Sequence, residues 1–161
     1  MRELSVKIRF TKHCLGHVRR AYWTNGHNRA HFLMPRDHEG RVVFMPSWWT
    51  SILVKAAEVL CRHQDTVRDI HFAMRVAGEP GAVPAQLYRR YYAEKRFALH
   101  EAYYPGDTVE LTCVVPASID DASVCELLRI AGQYFGISPS HAYEFGYFTV
   151  ESVAAVSCAA S

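Results

Sequence analysis

Three stretches of this chain alternate apolar and polar residues with a period of two, and they restrict its folds more than any other feature. Leu4, Val6, Ile8 and Phe10 alternate with Ser5, Lys7 and Arg9; Ile70, Phe72, Met74 and Val76 with Asp69, His71 and Arg75; Val109, Leu111, Cys113 and Val115 with Thr108, Glu110 and Thr112. Successive side chains of a strand point to opposite faces, so each stretch predicts a strand with one buried and one polar face. Two further stretches have helical period. Pro46-Ser47 opens the first, with Ser47 as the expected N-cap; Trp49, Ile52, Leu53, Ala56, Ala57 and Leu60 form its stripe, and it should end near Arg62-His63. Ser118-Ile119-Asp120-Asp121 resembles a capping box at the head of the second, where Val124, Leu127, Leu128, Ala131 and Phe135 form the stripe and Gly136 the C-terminal cap. Trp49 lies on its stripe and belongs to the core. Trp48, turned about 100° from it, is expected to be partly covered by the long loop before it.

A last strand is expected over 143–153. Two β-hairpins complete the reading, one over 30–46 turning at Arg36-Asp37-His38-Glu39-Gly40, the other over 87–103 turning at Ala93-Glu94-Lys95. With these set aside, the order is strand, helix, strand, strand, helix, strand. The fold class expected is α+β, a ferredoxin-like βαββαβ sandwich with inserted β-hairpins. Each helix buries one stripe, so both should cover the same sheet face, leaving Lys7, Arg9, His71, Arg75, Glu110 and Thr112 on the other. Residues 11–30 have no sustained period and read as a long flap. The domain organisation expected is one ferredoxin-like domain over residues 1–153, with flap and hairpin insertions at 11–46 and 86–104 and a flexible tail at 154–161.

Eighteen Lys and Arg against sixteen Asp and Glu leave a net charge of +2, so any basic surface must come from clustering. Five cysteines without a C-x-x-C read as free thiols of a reducing cytoplasm rather than a disulfide framework. No apolar run is long enough to span a bilayer, and the first residues enter a strand where a signal peptide would carry its apolar core. A cytoplasmic protein with no membrane partner is expected. His13 and His17, and His27 and His31, have H-x-x-x-H spacing near Cys14, but no helical pattern or second cysteine completes a zinc site. No metal and no cofactor are expected, and P-loop, dinucleotide and nucleophile-elbow motifs are absent.

Cations and aromatics interleave twice, at Lys12, His13, Arg19, Arg20, Tyr22, Trp23 and Arg29, and at Tyr88, Arg89, Arg90, Tyr91, Tyr92, Lys95 and Arg96. Single-stranded nucleic acid calls for this mixture, because cations track phosphates while aromatic faces stack bases. Lys12, Arg19, Arg20, Arg89, Arg90 and Arg96 are the expected phosphate contacts, and Tyr22, Trp23, Tyr91 and Tyr92 the stacking residues. Tyr, Trp and Arg also dominate protein interfaces, so a protein partner stays open. A metal-independent ribonuclease is the third reading: His13 or His17 beside Arg19 and Arg20 would supply a base for a ribose hydroxyl and charge stabilisation. An RNA-recognition motif is excluded, because Thr108-Val109-Glu110-Leu111-Thr112-Cys113-Val114-Val115 lacks the stacking aromatics of its third strand.

The segment Phe32-Leu33-Met34-Pro35-Arg36-Asp37-His38-Glu39-Gly40-Arg41-Val42-Val43-Phe44-Met45-Pro46-Ser47 runs strand, R-D-x-x-G, strand, P-x-S and helix. It resembles the corresponding segment of the repeat-associated mysterious protein superfamily of CRISPR systems. The stretch from Gly136 through Gly146 to Val150 is similar to that group's glycine-rich loop running into a last strand. The resemblance implies a ferredoxin-like fold and an RNA- or ribonucleoprotein-associated role; taken with the clusters, the function expected is a non-catalytic, RNA-binding or ribonucleoprotein-associated component of a CRISPR-like antiviral assembly. Its implied partners are single-stranded RNA or protein subunits. A protein-binding inhibitor or mimic of such an assembly, encoded by a phage or mobile element, is the alternative.

Overall fold

The computed structural model describes residues 1–24, 27–73, 75–76, 86–93, 96–137 and 145–156; for 20–24, 27–30, 92 and 93 it describes the backbone alone. In chain order the elements are β1 (Arg2–Phe10), β2 (Cys14–Leu15), β3 (Val18–Thr24), β4 (His27–Leu33), α1 (Pro46–Val59), α2 (Asp65–Arg68), β5 (His71–Phe72), β6 (Gln86–Ala93), β7 (Arg96–Tyr103), β8 (Thr108–Val115), α3 (Asp121–Tyr134) and β9 (Phe148–Ala155). The architecture is α+β, built on two sheets.

The first sheet has the order β5-β8-β1-β9, with every pairing antiparallel. Its alternation is the one the sequence predicts. Leu4, Val6, Ile8 and Phe10 face Val109, Leu111, Cys113 and Val115, and α1 and α3 close over this face to form one core. Each large apolar side chain buried there contributes roughly 1.5–3 kcal/mol. Trp49 lies flat on Phe72, ring centroids 4.1 Å apart, and edge-on to Phe148 at 5.9 Å, seating α1 between the two edge strands. Trp48 is half-buried, between Phe44 and His17.

Several local expectations need correction. Ser47 does not cap α1: Met45 is the N-cap and Pro46, with its preset φ and missing N–H, is the first helical residue, which puts Ser47 inside the turn. The helix stops at Val59, ahead of Arg62-His63, because Cys61 turns left-handed (φ 53°) and the Arg62 N–H donates back to the Ala57 carbonyl. The α3 cap is Asp120, whose Oδ1 accepts from the Ser123 N–H at 2.6 Å; Ser118 lies before it. Residues 70–76 do not form one long strand: after Ala73 bonds Thr112, the chain leaves β8 and pairs Arg75 with Val43. Met74 lies outside the described residues. The last strand starts at Phe148 rather than 143 and continues through Ala154 and Ala155, which pair with Ser5 and Leu4, so the expected tail begins within β9.

The largest correction concerns residues 11–30, which form a second sheet where a flap was expected. β7 pairs with β2 and β4 along one edge and with β6 along the other, and β3 extends the sheet beyond β4. Because β4 takes residues 30–33, the expected 30–46 hairpin shrinks to a turn closed by the Arg36–Val42 bridge. Asp37 shapes that turn, accepting from the Glu39 and Arg41 N–H groups at 2.9 and 3.0 Å, and Gly40 supplies the required positive φ of 79°. The β6–β7 hairpin forms as predicted; its turn at 94–95 lies outside the described residues.

Two buried polar side chains on β7 organise the junction. Glu101 is 3% exposed; its carboxylate accepts from Arg36 through both Nη atoms and from the Met34 N–H at 2.7 Å. Its main-chain carbonyl accepts from the Gly16 N–H at 2.7 Å. His100 is 4% exposed, with Nδ1 2.8 Å from the Gly16 carbonyl and its ring stacked on Phe32 at 4.6 Å. Tyr103 reaches the first core, stacking on Phe10 at 5.4 Å. Gly146 fastens the other end: its N–H donates to His13 at 2.7 Å and its carbonyl accepts from Ile137 at 2.8 Å. Its φ is 75°, and a Cβ there would collide with the Ile137 carbonyl.

Three outcomes follow. Arg36→Ala leaves the Glu101 carboxylate buried with one donor and should cost about 3–5 kcal/mol, read as a drop in the urea midpoint. Gly146→Ala should cost roughly 2–5 kcal/mol, combining left-handed strain with overpacking. Burial, with the charges of Arg90 and His31, holds the His100 pKa below the ordinary imidazole value despite the Gly16 bond. The native state therefore binds fewer protons than the unfolded chain near pH 6. The His100 contribution is present above the ordinary value near 6.5 and is lost as pH falls through the depressed one. Urea midpoints measured from pH 8 to pH 5 should fall less steeply for His100→Asn than for the natural chain.

Candidate nucleic-acid interface

The β6–β7 register decides which cations and rings share a surface. Tyr88 pairs with His100 and Arg90 with Ala98, so these four point to one face; Leu87, Arg89 and Tyr91 pair with Glu101, Leu99 and Phe97 and point to the other. The expected cluster at 88–96 is therefore two surfaces.

On the first face, Tyr88 sits 4.4 Å from the His13 ring and 5.9 Å from the Phe145 ring. His13 also meets Tyr104 edge-on at 4.5 Å, and the Arg90 guanidinium lies over Phe145 at 5.3 Å. All five side chains are half-buried, and exposed Lys12 adjoins them. Hydrogen bonds to main-chain carbonyls create the arrangement. The Tyr104 hydroxyl donates to the Leu87 carbonyl at 2.9 Å, while the Gly146 bond to His13 brings Phe145 beside the end of β1. Burial, then the Lys12 charge, lowers the His13 pKa, so the imidazole is neutral at pH 7. The patch thus joins flat rings to cationic heads.

On the second face, Arg89 lies over Phe97 at 5.1 Å and Tyr91 sits 5.7 Å from the same ring. Tyr91 is 61% and Leu87 51% exposed, and Arg96 is exposed. Of the remaining expected contacts, Arg19 is exposed on β3 opposite Phe32. Arg20, Tyr22 and Trp23 are placed on β3 and Tyr92 on β6 by backbone; their side chains lie outside the described residues.

His17 packs edge-on against Trp48 at 5.0 Å, its pKa lowered by burial, whereas His13 belongs to the Tyr88 cluster. The two histidines have separate neighbours. Among the described residues no three His, Cys, Asp or Glu side chains gather as a metal site.

The polar face of the first sheet is largely neutralised. Lys7 stands opposite Glu110, which also receives Ser5, and Arg9 Nε is 2.6 Å from Glu151. Arg75, expected on that face, instead reaches Asp37 at 2.8 Å, because its strand pairs with residue 43. The R-D-x-x-G segment is likewise committed to structure: Arg36 to Glu101, Asp37 to the turn and Arg75. Tyr104, Phe145 and His100 join the site without having been singled out. The regular spacing of Ala98, His100 and Ala102 was the available sign of a histidine on a small-residue strand face; nothing in sequence marked the other two.

No family model matches this sequence, and no curated protein matches it. Solved structures do. A chain in the cryo-EM structure of the Type III-B Cmr-beta bound to cognate target RNA superposes with a TM-score of 0.62 at 12% identity, over 96% of this chain and 60% of that one. A chain of a Type IV-B CRISPR complex superposes with a TM-score of 0.53 at 8% identity, over 99% of this chain and 92% of that one. This chain thus spans about three-fifths of the length of the first of them. Among the described residues no helix is long and apolar enough to cross a membrane. The chain shares its fold with these two chains of CRISPR complexes.

Proposed function

We propose that this chain is a non-catalytic, RNA-binding component of a CRISPR-like ribonucleoprotein assembly, built on a ferredoxin-like core. The sheet order β5-β8-β1-β9, with α1 and α3 on one face, supports that core, since it matches the strand arrangement a βαββαβ sandwich requires. The cluster of His13, Tyr88, Tyr104, Phe145 and Arg90 carries the functional reading. Half-buried rings beside cations suit unstacked bases and their phosphates, and need no sequence-specific groups. Lys12 and Arg90 would hold phosphates there, with Arg19 and Arg20 on β3 extending the path and Tyr22 and Trp23 as further stacking residues. Structural likeness to subunits of CRISPR complexes favours this setting.

A second reading has its own observation. Leu87 and Tyr91 are widely exposed beside Arg89, the residue types of a protein hot spot, and this face would dock a protein subunit. A ribonuclease is disfavoured, because base and acid must reach one phosphodiester and His13 and His17 pack against different aromatic groups.

Fluorescence anisotropy with single-stranded RNA tests the proposal. Affinity should fall with salt with a logarithmic slope of about −3, the value for four phosphates on a single strand. Arg90→Glu should weaken binding at least about tenfold and flatten that slope; Tyr88→Ala should weaken it with the slope unchanged. Arg9→Glu, at a guanidinium already bound to Glu151 on the polar face of the first sheet, should leave binding as it is. Absence of RNA retention at low salt overturns the reading.

A further inference from the structure

His100 lies on the same β7 face as the aromatic cluster, directly across from Tyr88. Its Nδ1 is 2.8 Å from the Gly16 carbonyl, and a carbonyl oxygen only accepts, so Nδ1 carries the proton. In the neutral ring Nε2 is then a bare acceptor. That atom is buried and has no hydrogen-bond partner among the described residues. The residue is 4% exposed, and stacking on Phe32 fixes the ring plane. Burial and the nearby charges of Arg90 and His31 lower its basicity, which keeps the ring neutral at pH 7. An orphaned buried acceptor costs free energy unless a donor satisfies it. Arg90 and Lys12 bring cations to the patch and Tyr88 a π face; His100 adds a buried acceptor whose own ring is fixed.

Resting on the reading of the patch as a single-stranded RNA site, we propose that His100 Nε2 accepts a hydrogen bond from a neutral donor group of a nucleotide seated beside Tyr88. Of the neutral donors a nucleotide carries, the candidates here are the ribose 2′-hydroxyl and the exocyclic amino group of a base. The first would make the site select RNA over DNA; the second would make it select amino bases over uracil. Either converts a sequence-tolerant platform into a discriminating one.

Anisotropy with oligo(rU), oligo(dU) and oligo(rC) separates the two sources. A ribose contact predicts that the natural chain binds oligo(rU) about tenfold tighter than oligo(dU); an amino contact predicts a similar preference for oligo(rC) over oligo(rU). His100→Asn should abolish whichever preference exists, since the Asn amide can still donate to Gly16 but places nothing at the Nε2 position. His100→Phe, which retains the stack on Phe32, should do the same. The natural chain supplies a check without mutation: the nitrogen-15 resonance of His100 Nε2 should shift when the preferred oligonucleotide is added. No preference in either pair, a preference that survives both substitutions, or a stationary resonance overturns the inference, and a buried water then accounts for Nε2. Salt-dependent RNA retention with none of these effects would sink this inference alone; no retention on any oligonucleotide would sink the reading beneath it.

Discussion

The Glu101 carboxylate is the point on which the two sheets depend. It is withdrawn from water, and two separate parts of the chain supply its residue's partners: Gly16 at the main-chain carbonyl, Met34 and Arg36 at the side chain. A buried ion pair contributes little net stability against an apolar substitute, because desolvation offsets most of the Coulomb gain. Its effect is on choice of arrangement. Any packing of the second sheet that moved β7 from residues 16 and 34–36 would strand a charge in the interior. The pair therefore selects one placement of β7, and with it the placement of His100, Tyr103 and the strand β6 beyond.

From that placement the functional surface follows by register alone. Once β7 is positioned, alternation along β6 sends Tyr88 and Arg90 to one side and Arg89 and Tyr91 to the other. The first side meets the loops around residues 13 and 145, which the left-handed Gly146 has drawn together. The second side meets Phe97 and solvent. Adjacent arginines thus enter different chemistry, and a double substitution at 89 and 90 would mix two surfaces.

What was legible in sequence is what burial writes into it. β1, β8 and the stripes of α1 and α3 each face a single core, so their apolar residues recur at the period of the backbone. β3 and β4 lie at the margin of the second sheet, paired from Val18–Leu33 to Thr24–His27, and their sequence carries no such period; residues 11–30 consequently read as a flap. Helix starts were misplaced by one rule competing with another: Pro46 at the first helical position overrode the hydroxyl of Ser47. For the site, the cation and aromatic types were legible and their partnership was not. His13 and Tyr88 are brought together by a strand order that no local pattern states. Arg36 and Glu101, 65 residues apart, are likewise paired by that order.

The small net charge of +2 need not oppose an anionic ligand, because of where the opposite charges stand. Arg2 is committed to Asp121, Arg9 to Glu151, Arg36 to Glu101, Arg62 to Glu126 and Arg75 to Asp37, all outside the β6–β7 hairpin except for the Glu101 carboxylate itself. On the hairpin, Arg89 and Arg90 lie over the rings of Phe97 and Phe145. An aromatic quadrupole orients a guanidinium and shields its flat face without cancelling its formal charge, whereas a carboxylate cancels it. The Phe97 ring in this way orders the Arg89 guanidinium while leaving its charge in place. Ordering in advance reduces the entropy lost on binding. A nearly neutral chain can in this way present a local cationic surface, and the same rings that orient the arginines provide the faces on which bases stack.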